Sequence, residues 1–563
     1  LEVARQAVRR GAVSSARTAL DRAARLARPR AELSVLVEEA QAHAAALAGD
    51  VDEAIRRAAV VLGALPPGEA ALDRRARLHL TLARASLVAG RHDDAARHVT
   101  DALMLSTKAT GADPALPATA EALAAHVAMA DGRTEEAAAL ASSALERARH
   151  ATAPAAACEA LEVLGRIARS TDLAEAEHLF LDALAIASEH DLALWRARAL
   201  HELGTIDLYT GRRSERFQAA REAAVEAGAV ATIALCDLHL AVGGYAHWDL
   251  EGAVIAGRRC VDLSRRLGLN TLGMGLVHLA TSLGLAGKLD EMEAVLAEAS
   301  AFASDEVDVA AGIPGRARMA LAVRRADIEG MRRALDEAMA VILRHPQIHF
   351  PYRGLWALVH TVEDPSGDGG ARVRAEAHAP GGTGALFNDL CLELAQAVAM
   401  GREGHDEEAT AAVNESAIER DITGAGEGWE SLVLALVASA ALRGGWGQGE
   451  RWARMALADF DDRGMNELAS WCRSMLRDAG RPVPRRGRGE SSPPADLRAL
   501  GVTSRESDVL AALASGATNN EIAARLHLSP RTVERHISNL LAKTGAADRH
   551  ALARLSEAAS APM

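Results

Sequence analysis

Residues Val502 to Leu552 read VTSRESDVLAALASGATNNEIAARLHLSPRTVERHISNLLAKTGAADRHAL, and this stretch decides the fold at the end of the chain. Thr503-Ser504-Arg505-Glu506 has the spacing of a capping box: the Thr503 hydroxyl accepts from the Glu506 amide and the Glu506 carboxylate reaches back. Val509, Leu510 and Leu513 follow on one helical face, and Gly516 stands where a left-handed C-cap belongs. Thr518-Asn519-Asn520-Glu521 repeats the capping box ahead of apolar Ile522, Ala523 and Leu526. Ser529 as N-cap and Pro530 as first helical residue then open a third helix. That helix is expected to bury Val533, Ile537, Leu540 and Leu541 and to turn Arg531, Glu534, Arg535, Ser538 and Asn539 outward. Gly545 ends it, and a fourth helix begins near Asp548 with Ala551, Leu552 and Leu555 on one side. Four helices with a polar, arginine-bearing third predict a helix-turn-helix that lays this helix in a DNA major groove.

Charge points the same way. The chain of 563 residues carries a net charge of -13, unevenly spread. From Arg481 onward there are 12 Lys+Arg against 8 Asp+Glu, while the preceding residues hold 51 against 68. A basic end on an acidic body fits a nucleic-acid module attached to something that does not bind nucleic acid. Aromatic residues make up 3% and apolar residues 49%, so alanine and leucine dominate, which is the composition of helices packed closely on helices.

The body is repetitive. A helix of small residues, a glycine, an acidic pair, an alanine and a second helix recur at Gly49 with Asp52-Glu53, Gly90 with Asp93-Asp94, Gly132 with Glu135-Glu136, Gly287 with Asp290-Glu291 and Gly404 with Glu407-Glu408. Weaker copies stand at Thr171, Gly211, Trp248, Ala326 and Gly444. The spacing runs from 37 to 42, with one interval of 78 that reads as two units with a degenerate turn near Pro365. A period near 40 with two helices per unit predicts a tetratricopeptide-like helical solenoid. Glycine supplies the left-handed turn, and the acidic pair favours the positive N-terminus of the second helix. The fold class is thus all-α: a solenoid over 1–478, a Pro/Arg/Gly-rich linker over 479–496, the helix-turn-helix domain over 497–558 and a tail over 559–563. Arg485, Arg486 and Arg488 of the linker read as a solvated charge run.

One stretch, His345 to Leu386, breaks the regularity with HPQIHFPYRGLWALVH and two glycine-rich loops. Phe350, Tyr352 and Trp356 at helical spacing are read as core, ahead of the rival reading as a ligand or partner surface. Cys158, Cys236, Cys260, Cys391 and Cys472 have no metal-ligand or redox spacing and read as small buried residues in a reducing cytoplasm. GLAGKLD at Gly284 to Asp290 lacks the leading glycine and the hydroxyl residue of a phosphate loop and reads as a repeat turn. No esterase, zinc-protease or paired-cysteine motif occurs, so neither enzymatic activity nor a cofactor or metal is expected. No apolar run is long enough to span a membrane, and no signal peptide is visible.

The quoted stretch resembles the LuxR-type DNA-binding domain at Arg505-Glu506, Val509-Leu510, Gly516, Asn519, Glu521-Ile522-Ala523, Leu526, Ser529, Thr532-Val533, His536, Lys543, Gly545 and Arg549. Thr544 departs from the pattern, which usually has leucine there, and trims one core contact. A solenoid followed by this domain is similar to the C-terminal part of the large ATP-binding regulators of the LuxR family, the maltose-regulon-activator-like group. In that group an ATPase domain stands before the solenoid. The opening ARQAVRRGAVSSARTALDRAARL looks like the stretch after such a domain, and the chain starts without Met inside a helical pattern, so a fragment of a longer polypeptide is expected.

These readings point to a cytoplasmic transcription regulator whose partner is double-stranded promoter DNA and whose solenoid receives a protein or small-molecule signal. Arg535 is the expected donor to guanine, with Ser538 beside it. Glu534 either accepts from cytosine N4 or pairs with Arg531 or Ser538 and only shapes the face. By the resemblance, Asn519, Arg531, Thr532 and Lys543 hold phosphates; Thr532 also fits a local cap, and His536 fits a packing role at the buried boundary. Ala551, Leu552 and Leu555 are expected to join two copies as a homodimer on DNA, and RNA polymerase is a further candidate partner. Two rival classes remain: a protein-interaction scaffold, which would need apolar residues on the exposed third helix, and the C-terminal portion of an ATP-dependent switch.

Overall fold

The computed structural model describes the chain apart from residues 28–30, 67, 69–70, 109–112, 211, 213–214, 346–350, 365–367, 378–385, 419–428, 484–496, 498–499, 501, 503, 515–516, 527–529, 547, 550 and 554–563. Its residue contacts divide it into two compact units, 1–460 with 465–475 and 461–464 with 476–563. Every regular element among the described residues is helical.

The first unit is an array of helix hairpins, as the repeat predicts. Leu72–Val88 and His92–Lys108 show how one is built. Ala76, Leu80 and Ala83 of the first helix meet Ala95, Val99 and Ala102 of the second, and Leu116, Ala120, Leu123 and Val127 of the next unit close the core. Alanine at the contact positions lets the backbones approach, and the leucines and valines fill what remains. The first helix of each hairpin also packs on the first helix of the following one, so Leu72–Val88, Ala115–Ala130, Pro154–Ala168 and Ala193–Tyr209 form a continuous inner row. The thiols of Cys158, Cys236, Cys260, Cys391 and Cys472 are all buried in this unit, and burial pushes Cys158, Cys236 and Cys260 up to about 12.

The turns follow the anchors with instructive exceptions. Gly49, Gly90, Gly132, Gly287 and Gly404 all have positive φ. Trp248 (φ 61°) and Ala326 (φ 52°) take the same left-handed conformation without being glycine. In both cases the next residue is an aspartate that caps the second helix: Asp249 accepts from the Gly252 amide at 3.0 Å and Asp327 from the Gly330 amide at 2.8 Å. Thr171 is not left-handed, and its turn is held by Asp172, which accepts from Ala174 and Glu175. The left-handed residue at the last anchor is Gly445, since Gly444 still belongs to the helix Trp429–Gly444. Gly211 and Pro365 lie outside the described residues. The acidic pairs sit in the first turn of their helices without capping hydrogen bonds, so they act through charge on the helix dipole.

The array winds back onto itself. The Ala193 amide donates to the Arg10 carbonyl at 2.9 Å, and Arg10 pairs with Asp191 at 3.0 Å, 181 residues away. The Asn270 amide donates to the Val88 carbonyl at 3.1 Å, and Trp429 Nε1 to the Tyr245 carbonyl at 3.4 Å across 184 residues. With about 40 residues per unit, a superhelical turn closes after roughly four and a half units. Consecutive superhelical turns therefore touch through the inter-helix turns.

Along the inner row runs a buried ionic chain. Arg84 donates to both oxygens of Glu159 at 2.5 and 2.8 Å, and Arg198 bridges Glu159 and Glu162. Burial works against the charge on Glu159, yet Arg84 and Arg198 hold its pKa down to about 2. His126 lies beside them, and burial lowers it to about 4, so it is neutral at pH 7.

Candidate nucleic-acid interface

In the second unit three helices are fully set out: Ser504–Ala514, Asn519–Arg525 and Pro530–Thr544. The capping box at the second is present, since Glu521 Oε2 accepts from the Thr518 amide at 2.7 Å and the Glu521 amide donates to Thr518 Oγ1 at 3.4 Å. The Thr518 amide and hydroxyl hold the Glu521 carboxyl below its ordinary range. Asp548 starts a further turn by accepting from the Ala551 amide at 2.8 Å. Thr503, Gly516, Ser529 and Leu555, named in the sequence reading, lie outside the described residues.

One core joins these pieces: Val509, Leu510 and Leu513 from the first helix, Ile522 and Ala523 from the second, Val533, Ile537 and Leu540 from the third, and Leu552. Residues 533, 537 and 540 fall within one stripe of the third helix at 100° per residue. Glu534, Arg535, Ser538 and Asn539 occupy the opposite side and are exposed. His536 is half-buried at the edge between the two. The core thus aims a polar face carrying one guanidinium and one carboxylate into solvent, a shape that fits a groove lined with base edges.

Several predicted residues carry duties that the sequence did not announce. Lys543 Nζ donates to Glu506 Oε2 at 2.6 Å, tying the end of the third helix to the start of the first. Glu506 is 3% exposed, so Lys543 neutralises a buried carboxylate, and any phosphate would have to share that ammonium. Asn519 accepts through Oδ1 from Arg549, whose other nitrogen donates to the Ala517 carbonyl. Arg549 therefore clamps the entry to the second helix and leaves the Asn519 amide protons as its donors. Arg549 was visible only as a motif match, because its partners lie 30 and 32 residues away. Arg531 and Thr532 are helical, and their side chains lie outside the described residues. Thr544 does more than trim a core contact: its hydroxyl donates to the Leu540 carbonyl at 2.7 Å and accepts from the Ala546 amide at 3.3 Å, finishing the helix ahead of Gly545 at φ 67°.

Leu552, expected at a dimer contact, is 0% exposed and belongs to the core of its own module. An apolar stripe on a last helix looks the same in sequence whether it faces inward or a partner. Ala551 is half-buried.

In the irregular stretch of the array, the described aromatic residues are packed inside. Tyr352 and Trp356 are buried; Tyr352 meets Phe387 edge-on at 6.3 Å and Trp429 at 6.1 Å, and Trp356 Nε1 donates to Asp336 at 2.8 Å. Phe350 lies outside the described residues. Arg353 beside them is 1% exposed, and its Nε and Nη2 find no partner among the described residues.

Residues 501–556 match the family of bacterial regulatory proteins described as the luxR family. Residues 501–556 thus form a LuxR-type helix-turn-helix domain, in a chain that also carries a helical-repeat array. The transcriptional regulatory protein YhcZ of Bacillus subtilis (strain 168) is 56% identical over 48 residues, which cover 8% of this chain and 22% of that protein. A Mycobacterium bovis protein named as an HTH-type transcriptional regulator is 40% identical over 98 residues, 17% of this chain and 10% of that protein. The chain therefore spans well under two thirds of either relative. Among solved structures, the Rap protein complexed with competence and sporulation factor superposes at a TM-score of 0.35 with 11% identity, covering 79% of this chain and 97% of that one. A superposition that loose carries no argument. No helix among the described residues is long and apolar enough to cross a membrane.

Proposed function

We propose that this protein binds promoter DNA sequence-specifically through the third helix of its C-terminal domain, and that the array receives a protein or small-molecule signal. The observation that carries the reading is the exposed face of Glu534, Arg535 and Ser538 set against the buried Val533, Ile537 and Leu540. Arg535 donates to guanine O6 and N7, and Glu534 with Ser538 reads the neighbouring pair. Asn519, Arg531, Thr532 and Lys543 take phosphates, Lys543 while remaining paired with Glu506. A scaffold role is disfavoured because the exposed face is polar and charged. The protein acts as a binder without catalysis of its own, in the cytoplasm, as a homodimer on an inverted-repeat operator that presents it to RNA polymerase. Leu552 has no part in that dimer's contact.

A mobility-shift titration of the full chain on promoter fragments from its own gene neighbourhood tests the DNA reading. With roughly four to six phosphate contacts per dimer, log K falls steeply with log salt. Retention of every fragment with salt-independent affinity, or of none, overturns it.

A further inference from the structure

We propose that His79, His98 and Asp101 form a binding site for a divalent transition-metal ion, zinc above all, within one hairpin of the array. His79 belongs to the helix Leu72–Val88, and His98 and Asp101 belong to His92–Lys108. His98 and Asp101 are three residues apart and so share one side of their helix. The packing of that hairpin, which needs no metal, carries His79 across to them.

The ligand atoms converge. Nδ1 of His79 and Nδ1 of His98 are 3.2 Å apart, His79 Nδ1 and Asp101 Oδ2 are 3.5 Å apart, and all three ligand atoms lie within 4.8 Å of one another. The rings are tilted at 54° with centroids 5.3 Å apart, so they are not face-to-face, and the same nitrogen of each approaches the other. Zinc takes imidazole nitrogen at about 2.0–2.1 Å and carboxylate oxygen at about 2.0–2.2 Å, which sets neighbouring ligands of a tetrahedral ion roughly 3.3–3.4 Å apart. The His79–His98 and His79–Asp101 separations bracket that edge. Without an ion, one Nδ1 has to carry a proton for the other, and the carboxylate at 3.5 Å from His79 is too far for a good hydrogen bond. An ion uses all three lone pairs at once.

Two imidazoles and one carboxylate select zinc, cobalt, nickel or copper over magnesium and calcium, which prefer oxygen sets. The His79 side chain is 19% exposed and Asp101 38%, so a fourth position opens to water. Arg75 and Arg97 lie near the histidines and oppose a cation, while Asp94 favours it. The turn of this hairpin at Gly90 meets Asn270 of the next superhelical turn, so an ion clamping its two helices stiffens an element that two superhelical turns share.

The full chain, stripped with chelator and dialysed, is titrated with zinc in a calorimeter and, separately, with cobalt in a spectrophotometer. One tight zinc equivalent is expected, unaffected by excess magnesium. It disappears in His79→Ala and His98→Ala and weakens by at least about 10–100-fold in Asp101→Asn. Cobalt gives visible bands of tetrahedral intensity that His98→Ala abolishes. A tight equivalent that persists unchanged in a folded His98→Ala protein overturns the site. If circular dichroism shows a variant unfolded, the wild-type cobalt spectrum decides: tetrahedral bands uphold the site, and octahedral or absent bands overturn it.

Discussion

A Cβ placed on Gly49 would come within 2.4 Å of the Ala231 methyl group, although the two residues stand nearly a full superhelical turn apart in the chain. Gly11 against Leu194 (2.6 Å) and Gly228 against Ser14 (2.4 Å) repeat the arrangement. Each of these glycines has a positive φ and a neighbour from another superhelical turn against its open side. Gly132 has a positive φ and nothing within 4 Å.

Gly49→Ala and Gly132→Ala should therefore differ. Both lose about 1 kcal/mol or slightly more to the left-handed backbone. Gly49→Ala loses a further ~1–3 kcal/mol, because the array must part to admit the methyl group. Melting of the two variants side by side checks this. Equal losses in Tm would mean that the superhelical turns do not hold each other.

Lys543→Ala should destabilise the C-terminal domain by about 2–3 kcal/mol, below the range for fully buried pairs because Lys543 is partly exposed. Glu506→Gln in the same background should restore part of that loss by removing the orphaned charge. A Lys543→Ala domain as stable as the parent, with DNA affinity uniformly reduced, would make the residue a phosphate ligand and nothing more.

Arg535→Ala should relax base preference at one position by about 1–3 kcal/mol and leave the melting temperature unchanged, since its side chain is exposed. Binding-site selection on wild type and variant reads this directly. Identical selected sequences would remove Arg535 from base readout.

Leu552→Ala should cost the domain about 2–5 kcal/mol, the loss for a buried leucine. Far-ultraviolet dichroism and melting measure it. A variant of unchanged stability that binds DNA as a monomer would return Leu552 to a dimer contact.

Acid should loosen the array in two stages. His126 has an ordinary pKa of 6.5 and is lowered to about 4 by burial in the fold, so the unfolded chain binds the extra proton first. The stability tied to its neutral form is complete above pH 6.5 and falls by about 3 kcal/mol on the way to pH 4. Glu159, held near 2, contributes above its ordinary carboxylate pKa and loses that contribution as pH drops from about 4.3 toward 2. Melting of wild type and His126→Gln between pH 7 and 4 checks the first stage, and the variant should show a shallower decline. Parallel curves would place the acid response elsewhere.

The sequence by itself determined what is local. Helix periodicity, the Thr518–Glu521 capping box, the left-handed turns at Gly49, Gly90, Gly132, Gly287 and Gly404 and the split between Val533, Ile537, Leu540 and Glu534, Arg535, Ser538 all follow from spacings within one or two helical turns. Such spacings are fixed by the geometry of the helix whatever surrounds it. Only the tertiary structure decided which apolar stripe was inside and which polar groups met. Leu552 reads equally well as core or contact, because a stripe does not say what covers it. Lys543 with Glu506, Arg549 with Asn519 and His79 with His98 are pairs whose partners lie 37, 30 and 19 residues apart, on different helices. The return of the array onto itself at Arg10–Asp191 and Gly49–Ala231 depends on a small rotation repeated at every hairpin. That rotation is set by how side chains interlock between helices, a property of the packed whole that no short stretch of sequence carries.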